Sequence, residues 1–211
     1  MSSKHANVIW EGRFQPIHLG HVAYVRRLLE HAERVWVFVV DNERSTEANP
    51  PIQSPVPDFT AIVDQHHVPQ KNPLPFWLRY RLVQETLQFE LGYDAPITVW
   101  GGRRLDFAWP FYARALPKER VFLTPKRDDF EDAKAAAWQA LGESVVRIDI
   151  AGLPVVSATM VRESAHDRQR LEQLLSPKTL AILEQEGYLG ALTREADGAE
   201  ADGAEADDAQ P

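Results

Sequence analysis

Short apolar runs alternate with helix-period segments along most of this 211-residue chain, and this alternation limits the possible folds more than any other feature. Val35–Val40 (VWVFVV) is apolar at every position, as expected of a strand that is covered on both faces. The other strand candidates are Asn7–Trp10, Ile97–Trp100, Val121–Thr124 and Val145–Ile150. Strands that alternate with helices predict an α/β fold with a parallel sheet wrapped on both faces.

The helical segments are predicted from apolar residues at spacings of three and four. They follow the first strand over residues 22–32, continue at Leu78–Leu91 and 132–142, and end the fold at Ser157–Leu189. The last segment predicts two helices broken at Ser176-Pro177, where serine suits an N-cap and proline a first helical position. The fold is therefore expected to close with C-terminal helices.

The net charge of −8 is concentrated at the C-terminus. Residues 195–211 hold seven acidic side chains and no base, in three near-identical pentapeptides (EADGA, EADGA, EADDA), so the rest of the chain carries only −1. A segment with alanine as its only apolar residue cannot offset its ordering entropy. We expect a single domain over residues 1–192 and a disordered, solubilising acidic tail over 193–211. The near-neutral body favours no nucleic-acid partner.

Composition excludes several other classes of protein. There is no cysteine, which rules out disulfides, thiolate metal sites and thiol nucleophiles. No apolar run approaches the roughly 18 residues of a membrane helix, and Met1–Asn7 has no signal-peptide core, so we expect a cytoplasmic protein without a membrane partner. Whether the chain forms a homo-oligomer is left open.

Residues 41–76 interrupt the regular alternation, with seven of the fifteen prolines. A long loop inside a compact domain is often functional. The segment is interpreted either as a lid or substrate loop or as a surface connection between a strand and a helix.

The string Gly12–His21 (GRFQPIHLGH) lies where the first predicted strand passes into the first helix. In open α/β sheets such a junction faces phosphate groups, because glycine allows close backbone approach and helix-start amides favour negative charge. His18 and His21 are three residues apart and can project to the same side of the opening turn. Two imidazoles and Arg13 therefore predict a triphosphate site. The remaining histidines are interpreted as capping or packing residues: His5, His31, His66, His67 and His166.

The string Val156–Arg162 (VSATMVR) follows the last predicted strand. Ser157 and Thr159 offer hydroxyls at a helix start, and Arg162 can place two donors on phosphate oxygens. An N-cap with a solvated arginine would explain this string by itself. Its position at a second strand-to-helix junction, on the same edge of the sheet, favours phosphate binding.

The first string resembles the G-x-F-x-P-x-H-x-G-H signature of the HxGH nucleotidyltransferase superfamily, and VSATMVR resembles its I-S-x-T-x-x-R motif. Within that superfamily the chain looks most like nicotinamide-mononucleotide (NMN) adenylyltransferases of the archaeal and Nudix-fused bacterial type. Those enzymes carry N-P-F-T-x-x-E-R midway, and Asn72–Arg79 (NPLPFWLR) keeps the Asn-Pro and the arginine at the same spacing. The resemblance spans about residues 6–190.

The resemblance implies a Rossmann-like doubly wound fold and in-line attack of an acceptor phosphate on the α-phosphorus of an NTP. The implied catalytic residues are His18, His21 and Arg162, which would act by positioning and electrostatics without a covalent intermediate. Mg2+ is implied with the NTP and would be held by phosphates and water rather than by protein ligands. The implied nucleotide-binding residues are Gly12, Arg13, Phe14, Gln15, Gly20, Gly101, Ser157 and Thr159.

Three segments depart from the adenylyltransferase pattern. Asp41–Ser45 opens the proline-rich segment where a small turn is usual, and Leu74–Leu78 replaces the usual Phe-Thr and Glu positions. Gly101–Asp106 (GGRRLD) carries two arginines, which suit either an anionic acceptor or solvent. The acceptor-binding candidates are Trp77, Arg79, Arg103 and Trp109, whose tryptophans are interpreted either as stacking platforms or as core residues.

These departures lie where the acceptor and base are expected, whereas the phosphate-binding strings are intact. The leading hypothesis is an NMN adenylyltransferase that makes NAD from NMN and ATP. The alternative is a cytidylyltransferase, or another nucleotidyltransferase, acting on a phosphonate or other phosphorylated metabolite in specialised metabolism.

Two other classes of protein were considered. Class I aminoacyl-tRNA synthetases share the histidine motif, but this chain lacks their KMSKS-like loop. A non-catalytic nucleotide sensor would be expected to lose His18, His21 or Arg162, and all three are present.

Overall fold

The computed structural model describes residues 4–41, 55–66 and 71–192. One sheet of five parallel strands has the order β3-β2-β1-β4-β5, which confirms the predicted Rossmann-like α/β fold. The strands are β1 (His5–Gly12), β2 (Ala32–Asp41), β3 (Ile97–Arg103), β4 (Val121–Pro125) and β5 (Val145–Ile148). Within the described ranges, no helix has the length and apolar character needed to cross a membrane.

Helices follow each strand and cover both faces of the sheet. They are α1 (Leu19–His31), α2 (Pro57–Asp64), α3 (Phe76–Leu91), α4 (Trp109–Ala115), α5 (Asp129–Ala140), α6 (Ala158–Glu163), α7 (Arg168–Leu174) and α8 (Pro177–Gln185), with a 3-10 turn at Leu189–Ala191.

Alternation along the central strands divides the interior into two cores. Val8 and Trp10 of β1 face a core that includes α1, α3, α7 and α8, which we call the first core. Ile9 faces the second core, which includes α4 and α5. The same alternation in β2 sends Val37 to the first core and Phe38 to the second. Both faces of these central strands are therefore buried, which explains the apolar runs in the middle of β1 and β2.

The strand order reverses at β1. The chain runs from β1 outward to β2 and β3, and then returns to place β4 and β5 on the other side of β1. Ligands of open α/β sheets bind outside the carboxyl ends of the strands at such a reversal. The ends of β1 and β4 therefore mark the expected site.

The helices differ from prediction in three places, one of which is α4, a helix that the sequence pattern did not indicate. The predicted loop at 41–76 contains α2, which has a proline in its first turn, where the missing N–H is not needed. The C-terminal segment forms three helices rather than two, because the Asp167 side chain caps a new helix by accepting a hydrogen bond from Arg170 N. The predicted break at Ser176-Pro177 is confirmed, with Ser176 as N-cap. Residues 42–54, 67–70 and the predicted tail lie outside the described residues.

Candidate active site

A cavity of about 650 Å³ lies at the carboxyl ends of β1 and β4. Its walls come from the β1–α1 turn, α2, the segment after β3, the start of α5 and the loop between β5 and α6. The structure brings most of the predicted catalytic and nucleotide-binding residues to this one cavity: Gly12, Arg13, Phe14, Gln15, His18, Gly20, His21, Ser157, Thr159 and Arg162.

The two histidines of the first string cap α1 reciprocally. His18 is the N-cap, and its Nδ1 accepts a hydrogen bond from His21 N at 3.3 Å. His21 Nδ1 accepts one from His18 N, also at 3.3 Å, and the two rings stack with centroids 3.6 Å apart. A ring nitrogen that accepts from an amide carries no proton, so each neutral ring holds its proton on Nε2. Both Nε2–H groups thus remain as donors for a ligand.

Burial keeps these imidazoles neutral. It lowers the pKa of His18 to about 3, and the nearby Arg127 charge lowers it further. The pKa of His21 is also lowered well below its ordinary value, first by burial and then by His18 and Arg127. The pair therefore suits hydrogen bonding to phosphate oxygens rather than proton transfer.

Tight packing holds the histidine pair in place. Phe14 adopts φ 53°, which is rare for an aromatic residue, and its buried ring contacts His21 edge-on with the centroids 5.1 Å apart. At Gly20 a Cβ would lie 3.1 Å from His18 Nδ1 and 3.3 Å from the carbonyl oxygen of Pro154. The absence of a side chain at Gly20 thus lets the start of α1 approach the loop before α6.

Asn72–Arg79, which we call the middle string, packs against the first string, Gly12–His21. Gln15 and Leu74 form a reciprocal pair, in which Leu74 N donates to Gln15 Oε1 at 2.9 Å and Gln15 Nε2 donates to Leu74 O at 3.1 Å. Arg13 Nη1 donates to His66 O at 2.6 Å and to Asn72 Oδ1 at 3.2 Å. The two strings therefore form one structural unit, although they lie more than fifty residues apart.

Arg79 connects this unit to the end of β2 through hydrogen bonds to backbone carbonyl oxygens. Its fully buried side chain donates to the carbonyl oxygens of Leu74, Arg13 and Val40, at 3.0, 2.8 and 2.6 Å. It does not line the cavity. Arg79 was predicted to bind the acceptor, and the structure instead gives it a role in holding the β1–α1 turn.

The other acceptor candidates also lie outside the cavity lining. Trp109 is buried in the second core against Phe122 and Trp138, and this packing accounts for an aromatic residue at that position. Trp77 is 51% exposed on α3 beside Tyr188, and Arg103 is exposed at the end of β3. Gly101, predicted to bind nucleotide, lies under Phe76, whose ring would be 2.9 Å from an added Cβ.

Arg13 and Arg162 define what we call the phosphate end of the cavity, together with the histidine pair. Burial and the neighbouring Arg162 charge lower the pKa of Arg13 to about 10. Arg162 Nη2 donates to Thr159 Oγ1 at 3.2 Å, and Ser157 caps α6 by accepting from Met160 N at 3.2 Å. Two guanidinium groups within electrostatic reach of each other suit a ligand with several negative charges.

The cavity wall also holds buried charges that have no signature in the sequence. Lys134 Nζ donates to Glu11 O at 3.0 Å and lies 3.5 Å from Glu11 Oε1. Arg104 Nη2 donates to Asp106 Oδ2 at 2.7 Å, and burial raises the pKa of Glu11. We call Glu11, Arg104, Asp106 and Lys134 the buried charge cluster. Of the two predicted arginines after β3, Arg104 rather than Arg103 reaches the cavity.

Cations outnumber carboxylates on the cavity wall. Among the described residues that line it, six are Lys or Arg and three are Asp or Glu. The cations are Arg13, Lys71, Arg104, Arg127, Lys134 and Arg162, and the acids are Glu11, Asp106 and Glu131. His66, interpreted from the sequence as a packing residue, also lines the cavity, and its ring lies 5.2 Å from that of Phe130. This excess of positive charge suits polyanionic ligands.

Comparison with known proteins also points to nucleotidyltransferases. Residues 9–56 match the family described as cytidylyltransferase-like. The matched residues include the first string and all of β2. Among curated proteins it is similar to phosphonoformate cytidylyltransferase of Streptomyces viridochromogenes (strain DSM 40736 / JCM 4977 / BCRC 1201 / Tue 494), with 29% identity over 185 residues, which are 83% of this chain and 89% of the relative.

Two solved structures of a bifunctional NMN adenylyltransferase/ADP ribose pyrophosphatase from Francisella tularensis share the fold, with TM-scores of 0.55 and 0.57. Identity is 12% and 13%, and each alignment covers 91% of this chain. The chain spans about half of each, 53% and 54%. One of them is complexed with AMP and a manganese ion. The fold expected of the predicted superfamily is thus confirmed, while the sequence relative favours the cytidylyltransferase alternative over NMN adenylyltransferase.

Proposed function

We propose that this protein is a cytidylyltransferase that transfers CMP from CTP to a small phosphonate such as phosphonoformate, with release of pyrophosphate. The observation that carries the proposal is the convergence of both strings on a cavity whose wall also holds buried charges. The choice of CTP and of a phosphonate rests on the similarity to phosphonoformate cytidylyltransferase over most of both chains.

The phosphate end provides donors for a reaction that needs no protein base. A phosphonate oxygen, already anionic, attacks the α-phosphorus of CTP, and the bond from that phosphorus to the α,β-bridging oxygen breaks. Charge builds on the departing pyrophosphate, where Nε2–H of His18 and His21 can donate. Arg13 and Arg162 neutralise the remaining phosphate charge. Preorganised donors of this kind act without reorganisation during the reaction.

The cavity suits Mg2+ that enters with the nucleotide. Each carboxylate on the wall already lies beside a cation: Glu11 beside Lys134, Asp106 beside Arg104, and Glu131 with Oε1 3.2 Å from Arg127 Nη2. Within the described residues, no three His, Asp or Glu side chains are grouped to hold a metal. Phosphate oxygens and water would therefore supply the ligands, and the ion would neutralise charge on the triphosphate.

The part of the cavity next to α2, which we call the acceptor end, suits a small acceptor. Phe59 and Val63 of α2 form part of its wall, and they pack against α5 in a small apolar cluster. Thr60 Oγ1 donates to Asp106 Oδ2 at 3.0 Å, which ties α2 to the buried charge cluster. The tryptophans predicted to stack on an aromatic acceptor ring lie elsewhere. Helix α2 thus closes this end of the cavity.

The test is CMP transfer by the purified protein with Mg2+. CTP and ATP are each supplied with phosphonoformate, with NMN or without acceptor, while pyrophosphate release and 31P NMR spectra are recorded. We expect a new phosphonate–phosphate linkage with CTP and phosphonoformate, and loss of that product in the His18→Asn variant. NAD formation from ATP and NMN would overturn the proposal in favour of an adenylyltransferase. Nucleotide binding without any turnover would indicate a sensor.

A further inference from the structure

Lys134 is a buried cation that the phosphate end does not use. It lies on α5, is 5% exposed and lines the cavity. Its ammonium donates to the carbonyl oxygen of Glu11 and lies 3.5 Å from Glu11 Oε1 and 4.0 Å from Glu131 Oε2. An ammonium has three N–H donors, and the two carboxylates are too distant for strong hydrogen bonds. The donor capacity of Lys134 thus exceeds what the described residues take up.

Glu131 likewise has hydrogen-bonding capacity that the described residues do not use, in this case as a hydrogen-bond acceptor. Its Oε2 is buried and has no hydrogen-bond partner among the described residues, although Arg127 Nη2 donates to its Oε1. A structural ion pair normally satisfies its polar atoms when it is buried. The ion-pair contacts of Lys134 with Glu11 and Glu131 are instead long, at 3.5 and 4.0 Å, which is the arrangement expected of a site that binds a ligand.

Lys134 comes to the cavity from a different element than the residues of the phosphate end. The histidine pair and Arg162 approach the end of β1 from α1 and α6, while Lys134 approaches it from α5, which packs in the second core. Arg104 reaches the same end from the segment after β3, held by Asp106. A small acceptor bound between the phosphate end and the buried charge cluster would present one group to the α-phosphorus and its other group to Lys134.

We infer that Lys134 binds the second anionic group of the acceptor, a carboxylate next to the phosphonate, and so selects acceptors that carry two anions. The inference rests on the proposed function. Lys134 would donate its remaining N–H groups to the carboxylate, and Arg104 would add positive charge beside it. Charge-assisted hydrogen bonds in a buried site are strong enough to produce such selection.

The test compares two acceptors that differ in the carboxylate alone, phosphonoformate and methylphosphonate. Steady-state kinetics with CTP are measured for the wild type, for Lys134→Met and for the matched control Lys118→Met, which alters an exposed lysine outside the cavity. We expect Lys134→Met to raise KM for phosphonoformate about 10- to 100-fold, which is the usual loss for a hydrogen bond to a charged group. KM for methylphosphonate and for CTP should change less than about 2-fold by the same argument.

The outcomes separate the inference from the proposed function. Equal loss with both acceptors, or a parallel rise in KM for CTP, would assign Lys134 a structural role and overturn the inference while CMP transfer stands. A wild type that uses neither acceptor overturns both. Should Lys134→Met fail to fold, the double variant Glu11→Gln/Lys134→Met removes both charges, and calorimetric CTP binding verifies its fold. The same selective loss in that variant supports the inference, and equal loss overturns it.

Discussion

His18 and His21 each serve two purposes at once. One nitrogen of each ring caps α1 by accepting a backbone hydrogen bond, and the other is left as a donor in the cavity. The cap fixes which nitrogen carries the proton, so helix formation itself sets the tautomer. A histidine at either position therefore supports the start of α1 and leaves an Nε2–H donor for the phosphate contact that we propose.

Two substitutions at His18 should separate these purposes. Asparagine retains an N-cap oxygen but lacks the Nε2–H donor, whereas alanine loses both. We expect kcat to fall about 10²- to 10³-fold in both variants, as for removal of one oxyanion donor. The free energy of unfolding should fall by about 1 kcal/mol in His18→Ala and remain near that of the wild type in His18→Asn. Urea unfolding and pyrophosphate release measure the two effects, and near-normal turnover in either variant would contradict the catalytic role.

The lowered pKa of His18 also predicts a dependence of stability on pH. The pKa is about 3 in the folded protein, against an ordinary value of 6.5. As the pH falls through 6.5 the unfolded chain binds a proton and the folded protein does not, so stability is lost progressively toward pH 3. We expect His18 to account for about 1 to 2 kcal/mol of lost stability between pH 6.5 and 5. Urea unfolding at both pH values should show a smaller loss in His18→Asn, and an equal loss in both proteins would refute the assignment.

Site residues were predictable where they lie close together in the sequence. The strings that hold His18 and Arg162 each concentrate several polar groups at one strand-to-helix junction, so their chemistry is visible locally. Lys134 and Glu11 are 123 residues apart, and neither stands in a pattern. Trp109 was left open between a stacking platform and a core residue because an aromatic side chain suits both, and its packing against β4 and α5 places it in the core.

At the scale of the elements, the start of α3 supports the β1–α1 turn. The segment before α3 pairs with Gln15, and Arg79 on the first turn of α3 reaches three carbonyl oxygens beneath the turn. The geometry of the histidine string thus depends on a helix that contributes no residue to the phosphate end.

Arg79→Lys should show this dependence. Lysine keeps the charge but cannot reach three carbonyls in different directions, so buried acceptors lose their donors. We expect the free energy of unfolding to fall by about 2 to 4 kcal/mol, together with a fall in kcat. The control is Arg81→Lys on the same helix, whose partly exposed ion pairs with Glu85 and Glu186 should contribute less than about 1 kcal/mol. Equal effects of the two substitutions on unfolding would argue against the supporting role of Arg79.

The elements themselves were largely predictable, because both faces of the sheet are covered and its strands therefore appear as unbroken apolar runs. The helices that were missed, α2 and α4, each have a proline in the first turn. Proline suggests an interruption when it is considered alone, yet the first helical turn accepts it. Only the contacts of α2 with α5 show that the proline begins a helix there.

At the scale of the whole molecule, charge is unevenly distributed. The cavity wall has an excess of cations, while residues 195–211 supply almost all of the net negative charge. Because the tail accounts for −7 of the −8, solubility near neutral pH is expected to depend on it.

Truncation after Arg194 tests this expectation. The shortened chain should keep kcat/KM within about 2-fold of the full chain, because the cavity residues are unchanged, while its solubility near pH 7 should fall as its net charge approaches zero. Turnover and solubility are measured against a full-length control in which the seven acids are replaced by their amides. A lower KM for CTP after truncation would instead show that the tail competes for the cationic cavity.

The pairing of Gln15 with Leu74 has a consequence for how such an enzyme changes over evolutionary time. It anchors the chain near the end of the proline-rich segment, and the contact of Arg13 with the earlier part of that segment uses the backbone carbonyl of His66, which any residue can supply. During evolution the proline-rich segment can therefore be replaced as one unit, together with α2 and the part of the cavity wall that α2 forms. New substrates would then be acquired by replacing one stretch of the gene, while the chemistry of nucleotidyl transfer is inherited unchanged.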